Sequence, residues 1–269
     1  MSVYYKENPE HFRTSIESMI NQTLKPDQIV IVKDGKLTAE LNDVIDQYVS
    51  SYPGLFTIVP LKENVGLGLA LNEGLKACRN ELVARMDTDD ISLPERCELQ
   101  VNEFIKNKEL TIVGTQIDEF NDDPSNIVSS RIVPINYDNI IKFSRRRNPF
   151  NHPSVMYRKS HVLNCGGYKN LRRNQDFDLF VRMINSGYKA ININKSLLLF
   201  RANNDNLKRR KSWEKCKSNI TIVYNFWRKG YSSFIDFIIV SISQIIVCFL
   251  PSVIFNWFSK KFLRKKVTQ

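Results

Sequence analysis

Glu81-Leu82-Val83-Ala84-Arg85-Met86-Asp87-Thr88-Asp89-Asp90 decides how the rest of this 269-residue chain is read. A short apolar, strand-like run ends on three carboxylates within four residues. Like charges crowded at a strand end destabilise the fold unless a cation neutralises them. Hard divalent cations take oxygen ligands and share their sites with substrate phosphates. The run therefore reads as a metal–phosphate site. It also reads as a solvated acidic turn that opens a helix, with Ser92 as N-cap, Pro94 in the first turn and Glu95 completing a capping box. A helix start needs one cap, which leaves Asp87 and Asp89 unexplained.

Outward from this run, residues 1–115 alternate β-rich and amphipathic segments. Gln28–Val32, Phe56–Pro60, Glu81–Met86 and Leu110–Thr115 read as buried strands. Between them, Pro9–Gln22 places Phe12, Ile16, Met19 and Ile20 on one helical face, and Thr38–Ser51 does the same with Leu41, Val44, Ile45 and Tyr48. Leu67–Cys78 and Leu93–Lys106 complete the series. Such alternation predicts an α/β fold with a largely parallel sheet, in which ligands bind beyond the carboxyl ends of the strands. Asp34 and Asp87 both fall at such ends. The opening strand is short, Ser2-Val3-Tyr4, against a usual ~5–6 residues. Either a short edge suffices or the native start lies upstream of Met1.

The net charge of +11 is uneven. Residues 201–269 hold 14 Lys/Arg and 3 Asp/Glu, whereas residues 1–200 hold 25 of each sign. The five cysteines are scattered without a C-x-x-C pair, which argues against a disulfide framework or structural zinc. The three histidines show no paired-ligand spacing, and Met1–Lys6 shows no secretory signal pattern. In residues 116–200, Asn151-His152-Pro153, Gly166-Gly167-Tyr168 and Gln175-Asp176 stand out, the last opening a helix with an acidic first turn. The glycines from Gly66 lack the spacing of a dinucleotide fingerprint and read as a tight turn into a helix.

Taken in order, these motifs resemble family 2 glycosyltransferases of the GT-A fold, and within them the amylovoran-type subgroup that builds bacterial capsule and exopolysaccharide. The resemblance covers residues 1–205. It rests on Ser2–Pro9, Asn21-Gln22-Thr23, Ile29–Gly35, Asn64–Gly74, the DxD run Ala84–Asp90, Asn151–Pro153, Gly166–Tyr168, Gln175-Asp176 and Phe200-Arg201. It implies a nucleotide-diphospho-sugar transferase fold with a mixed, mainly parallel sheet flanked by helices. Residues 1–115 would be the nucleotide-binding half and 116–205 the acceptor half. It further implies donor contacts from Val3, Tyr4, Glu7, Asp34, Asn64, Arg85 and Asp87, and Mg²⁺ or Mn²⁺ at Asp87 and Asp89. Asp176 is the implied catalytic base of an inverting transfer from a nucleotide sugar, most simply a UDP-sugar. Where the family has Glu-Asp, this chain has Gln175-Asp176, so the departure spares the base.

Each residue also has a plainer reading. Asp34-Gly35 suits a turn after a strand. Asp176 and Asp178 suit a helix N-terminus. His152 and Arg201, which fit acceptor or diphosphate contacts, also suit a structural histidine and an ion pair. Asn72 fits a contact with the nucleotide region. Arg145–Arg147 suits a solvated face.

Residues 206–269 form a basic, apolar helical tail. Phe237–Phe258 holds no charged side chain over 22 residues, interrupted by Pro251 and flanked by Lys/Arg clusters. About 20 apolar residues span a bilayer, but exporting the basic C-terminal cluster opposes the positive-inside tendency. A surface or re-entrant helical pair on the cytoplasmic face, anchored by Lys/Arg and Trp257 to an anionic membrane, is the better reading. No nucleic-acid readout module is present. The expected activity is sugar transfer to a polyprenyl-diphosphate-linked saccharide. The alternatives are a decayed GT-A scaffold acting as a membrane-associated binding protein, and a nucleotidyltransferase. The latter lacks its glycine-rich N-terminal signature with an activating lysine.

Overall fold

The computed structural model describes residues 1–202 and 213–249. Nine strands and nine helices are described. β1 (Ser2–Val3), β2 (Ile29–Lys33) and β3 (Phe56–Pro60) form a parallel three-stranded sheet, in the register Ser2↔Val32 and Ile29↔Phe56. β4 (Leu82–Ala84), β8 (Met156–Arg158), β6 (Leu110–Phe120), β9 (Lys189–Arg201) and β5 (Ile91–Ser92) form the second sheet in that order, with β7 (Ile127–Arg131) on β6. In this sheet β6–β9 is parallel, and the β4–β8, β6–β8, β6–β7 and β5–β9 pairs are antiparallel.

The mixed α/β expectation holds. Pairing is parallel throughout the first sheet and mixed in the second, where β4 pairs antiparallel with β8, and the two residues of β1 pair with β2. Between β2 and β4 lies a cavity of about 560 Å³ lined by Met1, Met19, Val30, Leu82, Ala84 and Met156.

The helices follow their patterns. α1 (Pro9–Ile20) starts on Asn8, whose Oδ1 accepts from Glu10 N at 2.9 Å and His11 N at 3.1 Å. α2 (Ala39–Ser51) starts on Thr38. Both bury the apolar faces read from sequence. α3 (Leu67–Ala77), α4 (Arg96–Lys106), α5 (Tyr137–Ser144), α6 (Lys159–Asn164) and α7 (Gln175–Asn185) complete the sheet's cover, and His152–Ser154 is a single 3₁₀ turn. Successive side chains of a strand face opposite ways. Val113 of β6 accordingly joins a core with Phe12, Ile31 and Leu198, while its neighbour Ile112 joins Phe150, Tyr168 and Phe180.

α8 (Trp213–Arg228) and α9 (Phe234–Phe249) fold back on α7. Ile222, Val223, Phe226 and Val240 close over Phe177 and Val181, with the Phe177 and Phe226 rings 5.1 Å apart. Among the described residues, no helix is long and apolar enough to cross a membrane. The part of the uncharged stretch beyond Phe249, with Pro251 and Trp257, lies outside the described residues.

Candidate active site

The acidic run leaves β4 as a loop whose carbonyls are fixed from several directions. Arg96 Nη2 of α4 donates to Arg85 O at 2.7 Å, Ser15 Oγ of α1 to Asp87 O at 2.6 Å, and Arg201 Nε of β9 to Asp89 O at 3.1 Å. The Asp90 carboxylate accepts from Arg201 N at 3.0 Å. This corrects the capping-box reading. Ser92 lies in β5, paired with Leu198, and its N–H donates to Ser18 Oγ. The helix begins at Arg96, with Glu95 making no side-chain cap. Strand pairing with β9 has taken the backbone that an N-cap would need.

Charge in the loop is under strain. Arg85 Nη1 approaches Asp87 Oδ1 at 2.5 Å, with the guanidinium buried and the carboxylate partly open. That contact is an ion pair without an aligned hydrogen bond, so Nε and Nη1 of Arg85 keep unmet donors. Burial, then the Asp87 charge, raises the Asp89 carboxyl to about 6. Burial, then Asp89 and Asp87, raises Asp90 well above the usual carboxylate range. Asp90 is fully enclosed and its Oδ2 has no partner. An added cation beside the loop would relieve this repulsion. Among the described residues, no three His, Cys, Asp or Glu side chains converge as a metal cage. Asp87 and Asp89 therefore fit a hard cation that draws its remaining oxygens from diphosphate and water, as Mg²⁺ commonly does.

The remaining donor candidates lie in the loops that follow β1, β2 and β3. Asp34 follows β2 and is buried. Its Oδ1 accepts from Val65 N at 2.8 Å, and its backbone N–H donates to Val3 O at 2.8 Å. Gly35 holds φ +84°, and a Cβ there would stand 2.8 Å from Asn64 N. Only glycine admits that approach. Asn64 is exposed and its Nδ2 reaches Asp34 O at 3.3 Å. Tyr4 and Glu7 are half-buried in the loop after β1. The Val3 side chain is fully buried in the core and its carbonyl is engaged by Asp34.

α3 is tied to the Gly167-Tyr168 turn. Asn72 Oδ1 accepts from Tyr168 N at 2.8 Å while its Nδ2 donates to Tyr168 O at 2.7 Å. Asn72 therefore clamps α3 to this turn. Gly68 lies against Lys169 O and the Gln175 side chain, which is buried there. Glutamate at that position would bury a charge, which glutamine avoids.

Next to Gln175, Asp176 is half-exposed, and Asn148 Nδ2 donates to its Oδ2 at 2.7 Å. Asp178 is structural: it is buried, with Arg182 Nε at 2.7 Å and Lys169 Nζ at 3.7 Å. His152 is set behind this surface, its Nε2 3.0 Å from Tyr168 Oη and its ring edge-on to Phe180. Burial, then Arg85, pushes its imidazole well below its ordinary value. His152 thus stands as a neutral imidazole against Tyr168. The Arg201 guanidinium lies over the Phe120 ring at 4.6 Å and donates to the acidic loop at Asp89 O.

Asn148 and Arg96 were not singled out from sequence, and Tyr168 was noted only as part of the Gly166-Gly167-Tyr168 motif. Arg96 left a trace, since Arg96, Gln100 and Phe104 share the buried face of α4, where a cation is out of place.

The family described as Glycosyl transferase family 2 matches residues 2–174. The UDP-Gal:alpha-D-GlcNAc-diphosphoundecaprenol beta-1,3-galactosyltransferase of Escherichia coli is 35% identical over 265 residues, 98% of this chain and 95% of that protein. The amylovoran biosynthesis glycosyltransferase AmsE of Erwinia amylovora is 36% identical over 222 residues, 82% of each. Among solved structures, the mannosyltransferase PcManGT of Pyrobaculum calidifontis, in complex with GDP-Man and Mn²⁺, superimposes with a TM-score of 0.63 at 14% identity. That match covers 96% of this chain and 78% of that one, and it shows the shared GT-A fold.

Proposed function

Because the chain belongs to glycosyl transferase family 2, we propose that it is an inverting, metal-dependent enzyme that moves a sugar from a UDP-sugar to a polyprenyl-diphosphate-linked saccharide. The E. coli relative, which is similar along nearly its whole length, is named for a UDP-Gal donor and a diphosphoundecaprenol acceptor. The observation that carries the reading is the pairing of two carboxylate sites of opposite design. One is the crowded, partly buried Asp87–Asp90 loop. The other is the half-exposed Asp176, whose Oδ2 accepts from Asn148.

In this reading Asp34 uses its second oxygen to accept the imide N–H of uracil. Tyr4, Glu7 and Asn64 border the nucleoside, and Asp87 and Asp89 face the diphosphate. A divalent cation at Asp87 and Asp89 supplies charge neutralisation to the departing diphosphate. Asp176 takes the proton from the acceptor hydroxyl as its oxygen attacks the anomeric carbon and the bond to the nucleoside diphosphate breaks.

The acceptor's lipid calls for a membrane surface. On α9, Ile235, Ile239, Ile242, Ile246 and Phe249 recur at helical spacing and are all exposed, Phe249 by 81%. We assign this stripe to shallow insertion in the cytoplasmic leaflet, with the basic residues of the tail facing anionic headgroups. The chain then sits peripherally at the face where lipid-linked acceptors are built.

The test is a donor panel of UDP-, GDP- and dTDP-sugars with a polyprenyl-diphosphate-linked GlcNAc acceptor, followed by release of nucleoside diphosphate. UDP release is expected only with acceptor and Mg²⁺ or Mn²⁺ present, giving a β-linkage from an α-donor. Turnover in excess EDTA removes the metal assignment, and an α-linked product removes inversion. If no donor turns over and calorimetry detects no metal-dependent UDP binding, the scaffold reading replaces this one.

A further inference from the structure

Asn174 is the one non-glycine residue with a left-handed backbone among the described residues, at φ 60° and ψ 21°. A side chain with a Cβ disfavours that conformation, so it persists only where its surroundings impose it. The imposing element is α8. Asn174 Nδ2 donates to Ser218 Oγ at 2.9 Å and to Asn219 Oδ1 at 2.8 Å, and Lys215 Nζ donates to Asn174 Oδ1 at 3.1 Å. Both amide groups of the side chain are therefore committed to one helix. The Asn174 carbonyl accepts from Asp178 N at 2.9 Å and so opens the first turn of α7, where Asp176 stands.

Turn geometry alone does not explain this residue. Glycine takes a positive φ without strain and stands at the other seven left-handed positions described. Asparagine adds three bonds to a helix that also packs on α7, through Phe226 against Phe177 about two turns further along. Flanking ion pairs from Arg172 and Arg173 to Glu214 tie the same turn to the same helix.

We propose that Asn174 is a positioning residue for the transfer step. Its left-handed turn, locked by Lys215, Ser218 and Asn219, sets the direction in which Asp176 meets the acceptor. The proposal rests on the assignment of Asp176 as the base. It also makes the helical pair of the tail part of the active site, so that a segment facing lipid fixes the base for a lipid-linked substrate.

The experiment compares full-length N174G, the double variant S218A/N219A, and D176N. Steady-state kinetics are measured across pH, UDP binding by calorimetry, and folding by circular dichroism. N174G keeps the backbone and removes the tether; the double variant keeps Asn174 and removes two of its partners. Both are expected to lose ~10-fold to ~100-fold in kcat, the scale of a small misplacement of a reacting group. UDP affinity and the unfolding transition are expected to stay unchanged, and the acidic limb of the pH profile to move. Wild-type kcat and pH profile in both variants, with D176N inactive, overturn the tether alone. A parallel loss of UDP binding and folding marks a purely structural role and overturns it too. Full activity of D176N overturns the base assignment itself.

Discussion

Beneath the acidic loop, the guanidinium of Arg96 is fully enclosed and donates to Arg85 O, Val155 O and Gln100 Oε1. Burial lowers its proton affinity to about 10, leaving it charged. R96A leaves these acceptors unpaired, and a loss of ~3–5 kcal/mol in denaturant unfolding is expected, the scale for breaking a buried charged network. Asp89 gives a pH-dependent counterpart. Its folded value of about 6 exceeds the unfolded 3.8, so the folded state keeps the proton longer. Stability is thus greatest below pH 3.8 as far as this group is concerned, and is lost as pH rises through 6. At pH 7, D89N is expected to unfold up to ~3 kcal/mol later than the parent without metal, while losing cation-dependent UDP binding. At Asp176, N148A removes the hydrogen bond that orients the carboxylate. A fall in kcat of ~10-fold or more with UDP affinity unchanged is expected from steady-state kinetics and calorimetry. Asp34, Asp87, Asp89 and Asp176 could be singled out from sequence because they fall at strand ends or within family motifs, but Arg96 and Asn148 gain meaning only from partners 59 and 28 positions away.

At the scale of elements, the amphipathic patterns of α1 and α2 predicted their buried faces residue by residue, because those faces meet one continuous core. The start of α4 was misplaced by one turn because a capping pattern is local, whereas the pairing of Ser92 with β9 is not. The clamp between α3 and the Gly167-Tyr168 turn was equally hidden, since Asn72 and Tyr168 lie 96 positions apart. Gly167 stands at φ +61°, and a Cβ there would lie 2.5 Å from Asn72 Oδ1. G167A is expected to lower the thermal midpoint by several degrees in calorimetry, since strain and a broken clamp together amount to ~1–3 kcal/mol. On α9, replacement of exposed isoleucines touches no core. I242E/I246E is expected to leave the melting curve unchanged and to abolish co-flotation with anionic vesicles.

Across the whole molecule, charge and sheet topology matter most. The +11 confined to residues 201–269 predicts vesicle binding that weakens steeply between low and high salt, as the screening length falls from ~10 Å at 0.1 M to ~3 Å at 1 M. A salt-insensitive association would place the attraction in the isoleucine stripe alone. The sheet order β4-β8-β6-β9-β5 has a different consequence, one of timing. β5 finds its pairing partner only in β9, and Asp90 finds its donor only in Arg201 N, 111 positions further along the chain. A nascent chain emerging from the ribosome can form β1, α1 and β2 early, since their contacts are local. It cannot seat the acidic loop until residue 201 has cleared the exit tunnel. Such long-range closure slows folding, and here it leaves the Asp87–Asp90 carboxylates among the last groups to assemble. A chain stalled before β9 would expose unpaired strand edges to aggregation, and its acidic loop would lack the Arg201 donors that hold it.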